Sequence, residues 1–188
     1  MLLRIAGMMV CCWALLLTPL CQGADEATQE FKAQGLTLQI PKTWKDKPVT
    51  NNLRLAQFEI PAVEGDSEPA ELVIFPPFGG TAAENIKRWV AQFDSDGLKA
   101  TFTQGKVAQG SYVLADLSGT YHKPDGPPIM RKTKPAPNYQ MLSVMLTTEK
   151  EGSYFLKLTG PEKTVTAAAA AFRQAFGADS ASEEKFAF

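Results

Sequence analysis

The chain of 188 residues is poor in the side chains on which most enzyme chemistry and most cross-links depend. Its three cysteines, Cys11, Cys12 and Cys21, all lie near the N-terminus, and it has a single histidine, His122. With one imidazole and no later thiol, a zinc site is not expected, because zinc prefers His and Cys ligands. A Ser-His-Asp relay would have to run through His122, with Ser118 and Asp125 nearby, and there is no G-x-S-x-G elbow. The acids Glu64, Asp66, Glu68 and Glu71 cluster without the D-x-[DN]-x-[DN]-G pattern of a calcium loop, and read as a solvated hairpin loop. Neither sign of charge dominates: 19 Lys and Arg face 20 Asp and Glu. That balance argues against nucleic-acid binding, which calls for a strongly basic domain. The expectation is a non-enzyme with no catalytic residue, no metal and no cofactor.

A long apolar run is also lacking. The longest, Ile5 to Leu17, falls short of the roughly 20 residues of a membrane span. It follows Arg4, is broken by Pro19 and leads to Gly23 and Ala24, the three-part plan of a secretory signal peptide. Residues 1–23 are therefore read as a signal, with cleavage after Gly23 or Ala24. A retained signal-anchor and lipidation at Cys21 are the alternatives, the latter opposed by Leu20 where a small residue is expected. The expected place is periplasmic or secreted, with no integral span after cleavage. Cleavage after Gly23 leaves 165 residues without cysteine, 18 basic and 20 acidic, net −2. A chain of that length can fold on its core alone, as one domain, expected to be monomeric.

Within that chain, residues 24–34 read as a flexible lead-in, 35–178 as the domain and 179–188 as a flexible tail. Leu36, Leu38 and Ile40 alternate with polar residues, a half-buried strand ended by Pro41. Leu53–Ile60 and Ala70–Pro77 suggest a hairpin. Gly79 and Gly80 then precede Thr81 and Glu84, spaced as a capping box, and Ile86, Trp89, Val90 and Phe93 form a helical stripe. A phosphate loop would need G-x-x-x-x-G-K-[ST], so the double glycine reads as a strand-to-helix turn. Two strands lie between Leu98 and Tyr121, and another hairpin spans Tyr139 to Pro161. A closing helix has Pro161 at its first position, Val165, Ala168, Ala169, Phe172 and Phe176 on its core face, and Gly177 as its stop. The expected class is α+β: an antiparallel β-sheet of about six to seven strands flanked by two amphipathic helices.

The strand-Pro-x-x-Trp of GLTLQIPKTW and the closing GSYFLKLTGPEKTV…AAFRQAF resemble the PsbP-like (Mog/PsbP) superfamily. Phe78–Gly80, Ala83–Phe93, Ser118–Tyr121 and Phe155–Pro161 also resemble motifs of uncharacterised bacterial secreted proteins of that type. The resemblance implies a central antiparallel sheet with flanking helices. It also implies a partner-binding role, since superfamily members bind a photosystem complex or a small GTPase. Neither partner carries over to a chain with a bacterial signal, and the superfamily shares no catalytic set.

Two binding candidates remain. One is the segment 122–138, read as a 17-residue proline-rich loop carrying Lys123, Arg131, Lys132 and Lys134 against a lone Asp125. Long loops in compact domains are usually functional or disordered, and this one could meet an unknown protein or an anionic envelope component. The other is the polar flank of the first helix, Asn85, Arg88 and Gln92, with Arg88 either stacking within the fold or bordering a groove with Phe78 and Tyr121. The leading expectation is an exported binding or assembly protein acting through surface loops. The alternative is a small-ligand-binding or hydrolytic protein with a cleft near Gly79-Gly80, Arg88 and His122. A concave pocket with convergent polar groups and a shifted titration would favour the alternative.

Overall fold

The computed structural model describes residues 27–49, 52–126, 130 and 132–188. The segment 1–23 read as a signal peptide, which includes Cys21, and Arg131 lie outside the described residues. Ten strands and two helices follow in the order β1 (Thr28–Ala33), β2 (Leu36–Pro41), β3 (Lys45–Asp46), β4 (Ala56–Ile60), β5 (Ala70–Phe75), α1 (Ala82–Val90), β6 (Lys99–Val107), β7 (Gly110–Pro124), β8 (Thr133–Thr148), β9 (Gly152–Pro161), α2 (Glu162–Ala175) and β10 (Glu184–Lys185). Eight strands form one antiparallel sheet in the order β10-β6-β7-β8-β9-β5-β4-β3, and β1 and β2 pair as a separate hairpin. The class is α+β, with a larger sheet than the six to seven strands expected.

Period-two alternation assigns the two faces of the sheet. On one face Leu72, Ile74, Leu114, Leu142, Val144, Leu156 and Leu158 are buried against α2 and β2. Val165, Ala168, Phe172 and Phe176 form the inner side of α2, as the sequence spacing suggested. Pro161 is the N-cap of that helix rather than its first residue and supplies no side-chain bond. Asp66 does so from the distant β4–β5 loop, its Oδ2 accepting from the Thr164 amide at 2.8 Å and the Thr164 hydroxyl at 2.6 Å. At the other end Gly177 takes φ +84°, and the Ala178 and Gly177 amides donate to the Arg173 and Gln174 carbonyls, closing the helix as expected.

On the opposite face Ile86 and Trp89 of α1, with Phe93 from the turn beyond it rather than from the helix as expected, pack on Ala115, Leu117, Tyr121, Met141 and Phe155. The capping box forms: Glu84 N–H donates to Thr81 Oγ1 at 3.2 Å, and Thr81 N–H donates to Glu84 Oε2 at 2.7 Å. Glu84 thus occupies the N-terminus where a phosphate would sit, and Gly80 turns with φ +107°. Being nine residues long, α1 covers β7, β8 and part of β9 and leaves β5 and β4 open.

Three expectations require correction. Residues 28–33, read as a loose lead-in, form β1, whose Phe31 meets Phe58 edge-on at 5.9 Å. The tail, read as loose, carries β10 against β6. It is held by Glu183, which accepts from Arg173 at 2.7 Å and from Thr103 at 2.9 Å. The segment 122–138 is mostly strand: His122 faces Pro135, Lys123 faces Lys134 and Pro124 faces Thr133. This end of the hairpin extends past its sheet neighbours as a two-stranded ribbon, where a proline can sit at an edge without breaking a shared ladder.

β9 passes close to β5 at Gly160, where an added Cβ would lie 2.5 Å from Ala70 Cβ and 2.6 Å from Ala70 Cα. Gly160→Ala is expected to lower stability by about 1–3 kcal/mol through overpacking. Urea denaturation of the variant checks this, and an unchanged midpoint would contradict the packing described.

Candidate functional site

Where α1 ends, the second face of the sheet becomes the floor of a cleft of about 440 Å³. The register places its floor residues in rows. Lys157 of β9 lies between Ser143 of β8 and Val73 of β5, which in turn faces Gln57 of β4. In the next row Thr159 faces Met141 on one side and Glu71 on the other, and Glu71 faces Glu59. Tyr121 and Tyr139, stacked with centroids 5.8 Å apart, form one wall, and Glu68 and Lys123 close an end.

The cleft carboxylates are matched. Glu59 pairs with Lys47 at 3.1 Å, and Glu71 with Arg54 at 3.8 Å and with the Gln57 amide. Glu68 accepts from both Lys123 and the Tyr139 hydroxyl, while Lys123 also donates to Tyr139 at 2.8 Å. Hydrogen bonds from Lys123 and then Tyr139 hold the Glu68 carboxyl below its ordinary value. Burial pulls Lys123 down, but its bonds to Glu68 and Tyr139 outweigh that and leave it raised.

Lys157 is the exception. Its ammonium donates to Gln92 Oε1 at 2.6 Å and to the Tyr121 hydroxyl at 3.1 Å, both neutral groups. Among the described residues no carboxylate lies within ion-pair distance of it. Desolvation dominates, and its pKa is lowered from 10.5 to about 8. Burial likewise pushes Tyr121 up to about 12, so this phenol keeps its proton at neutral pH. Two buried hydroxyls on the same sheet face, Thr159 Oγ1 and Ser143 Oγ, have no hydrogen-bond partner.

A second cavity of about 270 Å³ adjoins the first and shares Phe75 and Lys157 with it. It runs beneath the flank of α1, between Phe78, Arg88, Trp89, Gln92 and Phe155. Phe78 stacks on Phe155 at 3.9 Å, and the Arg88 guanidinium lies over the Phe78 ring at 5.4 Å.

The structure disperses the residues singled out in sequence. Asn85 is fully buried, donating to the Thr81 carbonyl at 2.8 Å and accepting from Arg88. Arg88 thus pairs and stacks within the fold, while also lining the second cavity beside Gln92. Lys123 joins the cleft, but Lys132 and Lys134 are exposed on the ribbon. His122 points to Asp94, with its Nε2 2.6 Å from Asp94 Oδ1, and lines neither cavity. The solvated reading of the acids fails for Glu68, which is paired in the cleft, and for Asp66, which caps α2.

Lys157, Thr159, Tyr139 and Arg54 were not singled out in sequence, and Glu71 was read only as part of a solvated loop. The available signal was Lys157 itself, a charge in the middle of the otherwise buried run YFLKL.

No family profile matches the chain, and no curated protein matches it. Among solved structures it is similar to the solution structure of cyanobacterial PsbP (CyanoP) from Synechocystis sp. PCC 6803. The TM-score is 0.48 and the identity 15%, over 88% of this chain and 97% of that one.

The Glu68–Lys123–Tyr139 cluster has a pH signature. A carboxyl with a depressed folded-state pKa contributes stability above its ordinary value of 4.5, and that contribution is lost as the pH falls through the folded value. Glu68→Gln is expected to remove this part of the acid-side loss, which thermal melts across acidic pH would read. Parallel melting curves for both proteins would contradict it.

Proposed function

We propose that the protein is an exported, non-enzymatic binding protein whose cleft takes an oxyanion, a carboxylate or phosphate group of a small ligand, on Lys157. The observation that carries this reading is the mismatch of charge: every cleft carboxylate has a cation within ion-pair distance, whereas among the described residues the hydrogen-bond partners of Lys157 are neutral and Glu71 attracts it only from beyond that distance. Burying an unmatched ammonium is unfavourable to folding, and an incoming anion would relieve it. The unpartnered Thr159 hydroxyl, two residues along the same strand face, is a second donor without a use in the fold. Export rests on the N-terminal signal pattern, and the PsbP-like assignment on the sequence motifs. The cleft lies beside α1, as in the ligand-binding alternative, but on Lys157 rather than on the glycine turn and His122.

Lys132 and Lys134 favour a second reading, partner capture by the ribbon, since both are exposed and no described carboxylate pairs with them. A pull-down from envelope extract that loses a captured partner on Lys132/Lys134→Glu would support it. Equal capture by both proteins would oppose it.

The cleft reading makes two linked predictions. Calorimetric titration with inorganic phosphate is expected to show binding that holds below about pH 8 and weakens as the pH rises through that value, because the deprotonated amine loses its charge. Lys157→Met is expected to abolish the binding while leaving stability equal or higher, because a buried charge is replaced by an apolar chain of similar length. Lys157→Arg should retain it. Binding that survives in Lys157→Met would exclude Lys157 as the site.

A further inference from the structure

The amine that carries the cleft reading is also placed to act as a nucleophile. Its Nζ stands at the junction of the two cavities, with Phe75, Phe78 and Phe155 bordering one side and the stacked tyrosines the other. Among the described residues no carboxylate lies within ion-pair distance of it, Glu71 acting only from farther away, and its two hydrogen-bond partners are neutral acceptors. The Tyr121 hydroxyl, 3.1 Å away, accepts from Nζ and, among the described residues, donates its own proton to no protein group.

We propose that Lys157 captures aldehydes as a reversible imine, with the Tyr121 phenol as proton donor to the carbonyl oxygen. This rests on the cleft being the ligand site. The amine lone pair attacks the carbonyl carbon, and the carbon–oxygen π pair moves onto oxygen, which takes the Tyr121 proton. The carbinolamine nitrogen returns a proton to the Tyr121 phenolate, and the phenol donates it again to the new hydroxyl. The nitrogen lone pair forms the C=N bond as water leaves, and the iminium N–H gives its proton back to the phenolate. The carbonyl and the amine combine with loss of one water, nothing is oxidised or reduced, and water reverses the step. Desolvation supplies the free amine: with the pKa lowered to about 8, on the order of one in ten is unprotonated at neutral pH. The aromatic walls of the smaller cavity suit an aldehyde on a planar ring.

The test is benzaldehyde with cyanoborohydride on the full chain at neutral pH, with adducts located by peptide mass spectrometry. Lys157 should be alkylated roughly tenfold faster or more than the exposed Lys32 and Lys45, because its own pKa is lowered to about 8 and it lies beside the Tyr121 hydroxyl. Tyr121→Phe should slow the Lys157 adduct several-fold, with the melting temperature and the rates at Lys32 and Lys45 unchanged. Labelling of Lys157 no faster than Lys45 would overturn the proposal, and an unchanged rate in Tyr121→Phe would overturn the role of the phenol. Lys157→Arg, which retains the charge, separates the two claims. Phosphate binding kept in this variant, with no Lys157 adduct in the wild type, sinks the imine and leaves the binding reading intact. No phosphate binding in the wild type would take both down.

Discussion

The fold is governed by a mismatch between a wide sheet and a short helix. Eight strands at about 4.8 Å spacing span on the order of 35 Å, whereas nine helical residues reach about 13.5 Å. The 14 residues of α2 and the β1–β2 hairpin together close one face with a layer that is apolar apart from the hydrogen-bonded Asp116, Gln140 and Thr166. On the other face α1 and the turn after it seal the strands beneath them with Ile86, Trp89 and Phe93 and then stop. The floor beyond it is solvent-facing, so polar side chains are tolerated there, but it is concave and walled, so they are not fully hydrated. Lys157 lies on that boundary. Its strand belongs to the middle of the sheet, and its side chain emerges where the helix ends.

This placement explains why the cleft contains so many paired charges. A partly desolvated carboxylate is stable only with a donor or a cation beside it, and Glu59, Glu68 and Glu71 each have one. The two tyrosines lend apolar faces to the wall and hydroxyls to the network. The remaining charge, Lys157, has no carboxylate within ion-pair distance among the described residues, and Glu71 acts on it only from farther away.

Much of the fold was legible because it is written in local periodicity. The Thr81/Glu84 box, the stripe on α1, the inner side of α2 and the β4–β5 and β8–β9 hairpins all come from residues within a few positions of one another. What was missed depends on long-range partners. β1 reads as polar because an edge strand is mostly solvated, with Phe31 as its anchor. The tail is ordered through Glu183, whose partners Arg173 and Thr103 lie 10 and 80 residues away. The prolines at 124 and 135 suggested a loop because their position on a ribbon beyond the sheet cannot be read from spacing. The cleft was hardest to read. Lys157 meets Gln92 and Tyr121 across 65 and 36 residues, and nothing local marks a strand lysine as desolvated.

The most direct test is the titration of Lys157 itself, followed through its side-chain carbon and nitrogen NMR shifts in protein selectively labelled at lysine. The account predicts a midpoint near 8, about two units below an ordinary lysine, moving upward when phosphate is added. A midpoint at the ordinary 10.5, unmoved by phosphate, would mean that the amine is solvated and that the cleft has no unmet charge.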